Sequence, residues 1–96
     1  MRRDTAIGLL RGHWGEIRRF SVRSLAIFGS VARDEARADS DVDILVEFSE
    51  TPALHTFLEL KRYLEGLLGC PVDVVTRAAI PARKQPRVEA ELVGVA

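Results

Sequence analysis

A chain of 96 residues is long enough for one compact core and too short for a catalytic domain plus a separate substrate domain, so it is expected to form a single domain over residues 1–96. Apolar residues make up 47% and charged residues 29%, with 14 basic side chains balancing 14 acidic ones, so no net field favours bulk nucleic-acid binding or an anionic membrane surface. One cysteine excludes an internal disulfide and a multi-cysteine zinc site; with no apolar run of membrane-spanning length and no signal-peptide core, the expected compartment is the cytoplasm.

From Asp4 to Arg19 the apolar residues Ile7, Leu10, Trp14 and Ile17 recur at steps of three or four, which predicts an amphipathic helix weakened by Gly8 and Gly15. The short apolar run SLAIF, Ser24 to Phe28, predicts an interior strand ended by Gly29, with a short helix over Ser30 to Ala36. After a turn at Asp39-Ser40, DVDILVEF alternates: Val42, Ile44, Val46 and Phe48 face one way, and Asp41, Asp43, Leu45 and Glu47 the other. Thr51 and Pro52 read as the cap and first position of a helix whose stripe is Leu54, Phe57, Leu58, Leu64, Leu67 and Leu68, stopped by Gly69 and Pro71. Pro71 to Thr76 predicts a third strand, Arg83 to Glu91 a short helix, and Leu92 to Val95 a final edge strand. The class is α/β, a small mixed sheet of three to four strands flanked by helices.

Charge is segregated, with arginines concentrated in residues 1–37 and acid from Asp39 to Glu50, a pattern suited to phosphates plus a cation. Asp41 and Asp43, two apart on a strand, project from one face with origins roughly 6 to 7 Å apart. That spacing suits one cation, or two held about 3.5 to 4 Å apart as in two-metal phosphoryl chemistry. Asp73, flanked by Val72 and Val74, is a charge in an apolar strand and calls for a partner. Two carboxylates about 5 Å apart repel by about 3 kcal/mol at an effective dielectric near 20, so three together imply a divalent cation or protonation. Asp-X-Asp alone is equally consistent with solvated turn residues. Gly29-Ser30, placed between strand and helix, adds a close backbone approach and a hydroxyl donor for phosphate oxygens.

Joined in order, LAIFGSVARDEARADSDVDILVEF resembles the signature of the minimal nucleotidyltransferases, small members of the DNA polymerase beta-like superfamily, with Gly29, Ser30, Arg33, Arg37, Ser40, Asp41, Asp43 and Asp73 at matching positions. The resemblance covers nearly the whole chain. It implies the polymerase beta-like fold and transfer of a nucleoside monophosphate, usually from ATP, to a hydroxyl. It further implies that Asp41, Asp43 and Asp73 are catalytic and bind two magnesium ions, Asp73 also helping to activate the acceptor. Gly29, Ser30, Arg33 and Ser40 would bind the nucleotide. Small members of the family accompany a HEPN-class ribonuclease toxin, which implies an antitoxin that adenylylates its partner, with no membrane and no direct nucleic-acid contact. A non-catalytic module that occludes the partner, and an enzyme acting on a small molecule or an RNA end, are the alternative readings. Arg33 and Arg37 face either phosphates or solvent; His13, His55, Cys70 and the basic group Arg83, Lys84 and Arg87 read as structural or solvated.

Overall fold

A computed structural model describes residues 1–96. The first helical region is not one rod. Helix α1 spans Arg3–Gly12, breaks at His13 (φ −116°, ψ 18°), resumes as the single turn α2, Trp14–Ile17, and tightens into a 3-10 turn over Arg18–Phe20. Two glycines, Gly12 and Gly15, flank the break, and the His13 ring meets the Leu9 carbonyl oxygen at 2.9 Å, anchoring the residue where the helix stops. Of the predicted stripe, Leu10 and Ile17 are fully buried and Ile7 and Trp14 half-buried, and Ala6, outside it, is buried as well.

Strand β1 runs over Val22–Phe28, and the chain enters α3, Gly29–Ala32, directly. This helix is a single turn, shorter than the expected Ser30 to Ala36, because Asp34 adopts φ 59° and ends it. The Asp34 carboxylate accepts the Arg3 backbone N–H at 3.0 Å, tying the turn to the start of α1. Strand β2, Val42–Phe48, buries Val42, Ile44 and Val46 as its alternation predicts.

Helix α4 covers Leu54–Leu68 and begins after Ala53, with no side-chain cap; Thr51 and Pro52 belong to the preceding loop, not to its first turn. Its buried face is Leu60, Leu64 and Leu68, with Phe57 and Leu67 half-buried, while Leu54 (74% exposed) and Leu58 (43%) point outward. The expected stripe included those two and omitted Leu60. Gly69, at φ 70°, ends the helix in the left-handed conformation that glycine adopts without a Cβ penalty. Strand β3 follows at Val72–Val75; 3-10 turns at Arg77–Ala79 and Ala82–Lys84 lead to α5, Gln85–Glu91, and to β4, Val93–Gly94.

The sheet has the order β3-β2-β1-β4. Strands β1 and β2 are antiparallel, β2 and β3 parallel, and β4 lies antiparallel on the other edge of β1. One face carries Ile27, Ile44 and Val74, which join Leu10 of α1 and Leu60 and Leu64 of α4 in a single core. The opposite face carries Phe28, Asp43 and Asp73 in one row and Ala26, Leu45 and Val75 in the next. Period-2 alternation therefore sends the aliphatic set into the core and the carboxylates to the other side. No helix is long and apolar enough to cross a membrane.

Candidate active site

The pairing of strands places the acidic residues. Asp43 is the register partner of Phe28 on β1 and of Asp73 on β3, so the two aspartates are side by side on neighbouring strands, whose backbones run about 4.8 Å apart. Asp41, two residues earlier and exposed, lies just before β2 on the same side of the chain as Asp43. Gly29 supplies the fourth side. Its φ of 72° turns the chain out of β1 into α3, and a Cβ built there would run into the Asp43 carboxylate, whose Cγ lies 3.1 Å from that position. Glycine is required here twice over, for the left-handed backbone and for the close approach.

Half-buried and facing two like charges, Asp43 has its pKa raised from 3.8 to about 6; burial is the main cause, followed by Asp73 and Asp41, with Arg33 opposing and Glu91 adding. Burial and the two acidic neighbours thus disfavour the ionised form of Asp43. No group of three His, Cys, Asp or Glu side chains lies close enough together to hold a metal ion by protein ligands alone. The structure brings Asp43 and Asp73 together and sets Asp41 beside them without closing the three into a cage. An all-oxygen, partly open carboxylate set of this kind fits magnesium, which keeps waters and is commonly held by one or two carboxylates together with substrate phosphates.

The other expected residues are distributed as follows. Ser30 is half-buried in α3. Ser40 closes its loop: its hydroxyl oxygen accepts the Arg37 backbone N–H at 2.9 Å, and its own N–H donates to the Arg37 carbonyl at 3.0 Å, which leaves its O–H as the donor that remains. The Arg37 side chain is exposed. Arg33 is not free: its Nε donates to Glu35 at 3.2 Å and its Nη1 to Glu91 at 2.8 Å. These contacts place Arg33 at the edge of a pocket of about 240 Å³ that opens at Gly29 and is completed by Lys84, Arg87, Val88 and Glu91 from the C-terminal segment.

Lys84 and Arg87 therefore belong to this pocket, against the solvated role that their sequence context suggests, while Arg83 does not line it. Glu91 was not visible as a site residue at all. Its partner Arg33 is 58 residues away, and only the packing of α5 against α3 joins them. A larger cleft, about 580 Å³, lies at the other end of the sheet beside Glu47, Phe48, Thr76 and Arg77. Glu47 is four residues along β2 from Asp43, about 13 Å. Its carboxylate is held below the usual range chiefly by the Arg23 hydrogen bond, at 2.8 Å, and it also accepts from Arg77. That end is a neutralised ion network, so the smaller pocket beside the strained carboxylate is the one suited to chemistry. His13 and His55 are exposed, and burial pushes the Cys70 thiol up, away from thiolate reactivity.

A strand-glycine-helix turn laid against an aspartate, with a second aspartate on the adjoining parallel strand, defines a nucleotidyltransferase domain, and this chain belongs to that family: the family's profile matches residues 10–93. Within it, the chain is 48% identical over 88 residues to protein adenylyltransferase MntA of Thermococcus cleftensis, a match covering 91% of this chain and 89% of that protein. A solved structure named for a minimal nucleotidyltransferase superposes with a TM-score of 0.82 at 38% identity, covering 97% of this chain and 95% of the other. The fold also recurs, at TM-score 0.66 and 19% identity, in a complex of tri-AMPylated Shewanella oneidensis HEPN toxin with MNT antitoxin, over 94% of this chain and 71% of that one. The chain is a minimal nucleotidyltransferase, as its Gly-Ser and aspartate pattern led us to expect.

Proposed function

We propose that this enzyme moves AMP from ATP, with magnesium, to a hydroxyl on a HEPN-type toxin in the cytoplasm, and thereby serves as the antitoxin. The observation that carries the reading is the seat of Asp43: against the bare Cα of Gly29 on one side and paired with Asp73 on the other. The relationship to protein adenylyltransferase MntA supports a protein acceptor, and the modified toxin in the HEPN complex supports its class.

Asp41, Asp43 and Asp73 would hold two magnesium ions, which when bound neutralise charge on the transferred phosphoryl group and orient the attacking and leaving oxygens. Gly29 lets the triphosphate approach the backbone without a side chain in the way, and Ser30 and Ser40 offer hydroxyl donors to its oxygens. Arg33 supplies a guanidinium to the phosphates. The acceptor hydroxyl oxygen forms a bond to the α-phosphorus, the bond from that phosphorus to the bridging oxygen breaks, and pyrophosphate leaves. Asp73, exposed on the edge strand where an incoming acceptor has access, takes up the hydroxyl proton.

The test is direct. Purified protein, labelled ATP, magnesium and the co-encoded partner should yield labelled partner, and Asp41→Asn or Asp43→Asn should lower the rate at least a hundredfold, within the range typical of lost catalytic groups. Failure to label any co-encoded protein would overturn the reading. Neutralisation of the partner by Asp43→Ala in cells would replace catalysis with occlusion.

A further inference from the structure

We propose that Lys84, Arg87 and Arg33 form the seat for the terminal phosphates of the nucleotide, and that Glu91 is a resident anion that those phosphates must displace. The inference deepens the adenylyltransferase reading and rests on it. Three cations and one carboxylate line the pocket at Gly29. Glu91 Oε1 accepts from Arg33 Nη1 at 2.8 Å and lies 3.5 Å from Arg87 Nε, so one carboxylate is shared between a guanidinium at the C-cap of α3, which also donates to Glu35, and one on α5. Lys84 forms no ion pair and leaves the pocket with uncompensated positive charge.

The volume sets the kind of ligand. About 240 Å³ falls below the 300–1,000 Å³ of pockets that enclose whole small molecules, which suits a phosphate tail and not a nucleoside. The position sets the direction. The pocket opens at Gly29, whose bare Cα faces the Asp43 carboxylate, and Arg33 and Glu91 line it beside that glycine. A triphosphate whose α-phosphate lies over Gly29 beside Asp43 would extend its tail toward Lys84 and Arg87. Phosphate oxygens and a carboxylate compete for the same guanidinium edges, and the phosphate tail carries the greater charge. Glu91 therefore keeps the arginines aimed and weakly satisfied while the site is empty of phosphate, and sets a threshold that a monophosphate does not cross.

Calorimetric titration of the full chain without magnesium separates this seat from the carboxylates, with inorganic tripolyphosphate, inorganic phosphate and AMP as probes. Glu91→Gln should tighten tripolyphosphate binding about tenfold, the equivalent of about 1.4 kcal/mol for one removed competing charge. Lys84→Ala, an exposed side chain with no structural partner, should weaken it about fivefold, within the range of one charge-assisted contact. Neither should change AMP binding by more than about twofold. If Glu91→Gln leaves tripolyphosphate binding unchanged or weakens it at unaltered melting temperature, Glu91 is only a tie between α5 and α3 and the proposal is wrong. If Glu91→Gln proves unfolded, an unchanged affinity in Lys84→Ala overturns it equally. AMP transfer that proceeds while both variants bind tripolyphosphate like the parent removes this inference and leaves the enzyme reading standing. The expected tripolyphosphate pattern without any AMP transfer removes the enzyme reading instead.

Discussion

Asp43 has a consequence for stability as well as for catalysis. Its carboxyl binds a proton more tightly in the folded chain, at about 6, than in the unfolded one, near 3.8. Between those values the native state holds the extra proton, so stability falls as pH rises through the window and stays lowered above it. Asp43→Asn removes that penalty. In the absence of magnesium the variant should melt roughly 4–8 °C higher than the parent at pH 7.5, about 1 kcal/mol once solvent screening of a half-exposed group is allowed for, with the gap closing at pH 4. Thermal melts at the two pH values decide it, and an equal gap at both would show that charge is not the cause. The Asp-X-Asp pair was legible in the sequence because the two-residue period of a strand fixes its geometry locally. Asp73 was legible as a charge without a partner among valines. Glu91 was not, since it ends an ordinary amphipathic stretch, PRVEAE, and acquires meaning only through Arg33, 58 residues away.

At the level of elements, α4 shows where pattern reading succeeds and where it slips. Leucine is so frequent in this helix that both Leu54-Leu58 and Leu60-Leu64 satisfy the spacing of an apolar face, and the sequence does not rank them. Packing does: Leu60, Leu64 and Leu68 meet the sheet's core, and Leu54 lies beyond its rim. Leu64→Ala should therefore cost about 2–5 kcal/mol in denaturant unfolding. Leu54→Ala should stay within about 0.5 kcal/mol of the parent. Comparable losses from the two would place the buried face elsewhere on the helix. The early break at His13 and the one-turn α3 were hidden for a related reason. The two ends depend on side-chain contacts to backbone, a local one from His13 to Leu9 and a long-range one from Asp34 to Arg3, and neither is a propensity.

For the molecule as a whole, strand order is the decisive fact, and it was the least accessible from sequence. Three short strands and an edge are readable one by one, but that β2 lies between antiparallel β1 and parallel β3 is settled only by the assembled sheet. This arrangement gathers Gly29, Asp43 and Asp73 from three strands' ends, and the 3-10 turn before α5 and α5 itself add Lys84 and Arg87. A ligand that bridges them must stabilise the fold globally, because unfolding any one contributing element releases it. Magnesium with a non-hydrolysable ATP analogue, at 100 times its dissociation constant, adds about 2.7 kcal/mol to the native state. For a domain near this size, that is a rise in melting temperature on the order of ten degrees. Asp73 is exposed on an edge strand, so Asp73→Asn should change the melting temperature of the free protein only slightly, and upward, because it relieves part of the repulsion on Asp43. It should nevertheless shrink the ligand-induced rise at the same concentrations, because one oxygen ligand has become an amide. An undiminished rise in Asp73→Asn would detach β3 from the site and confine binding to Asp41, Asp43 and the glycine turn.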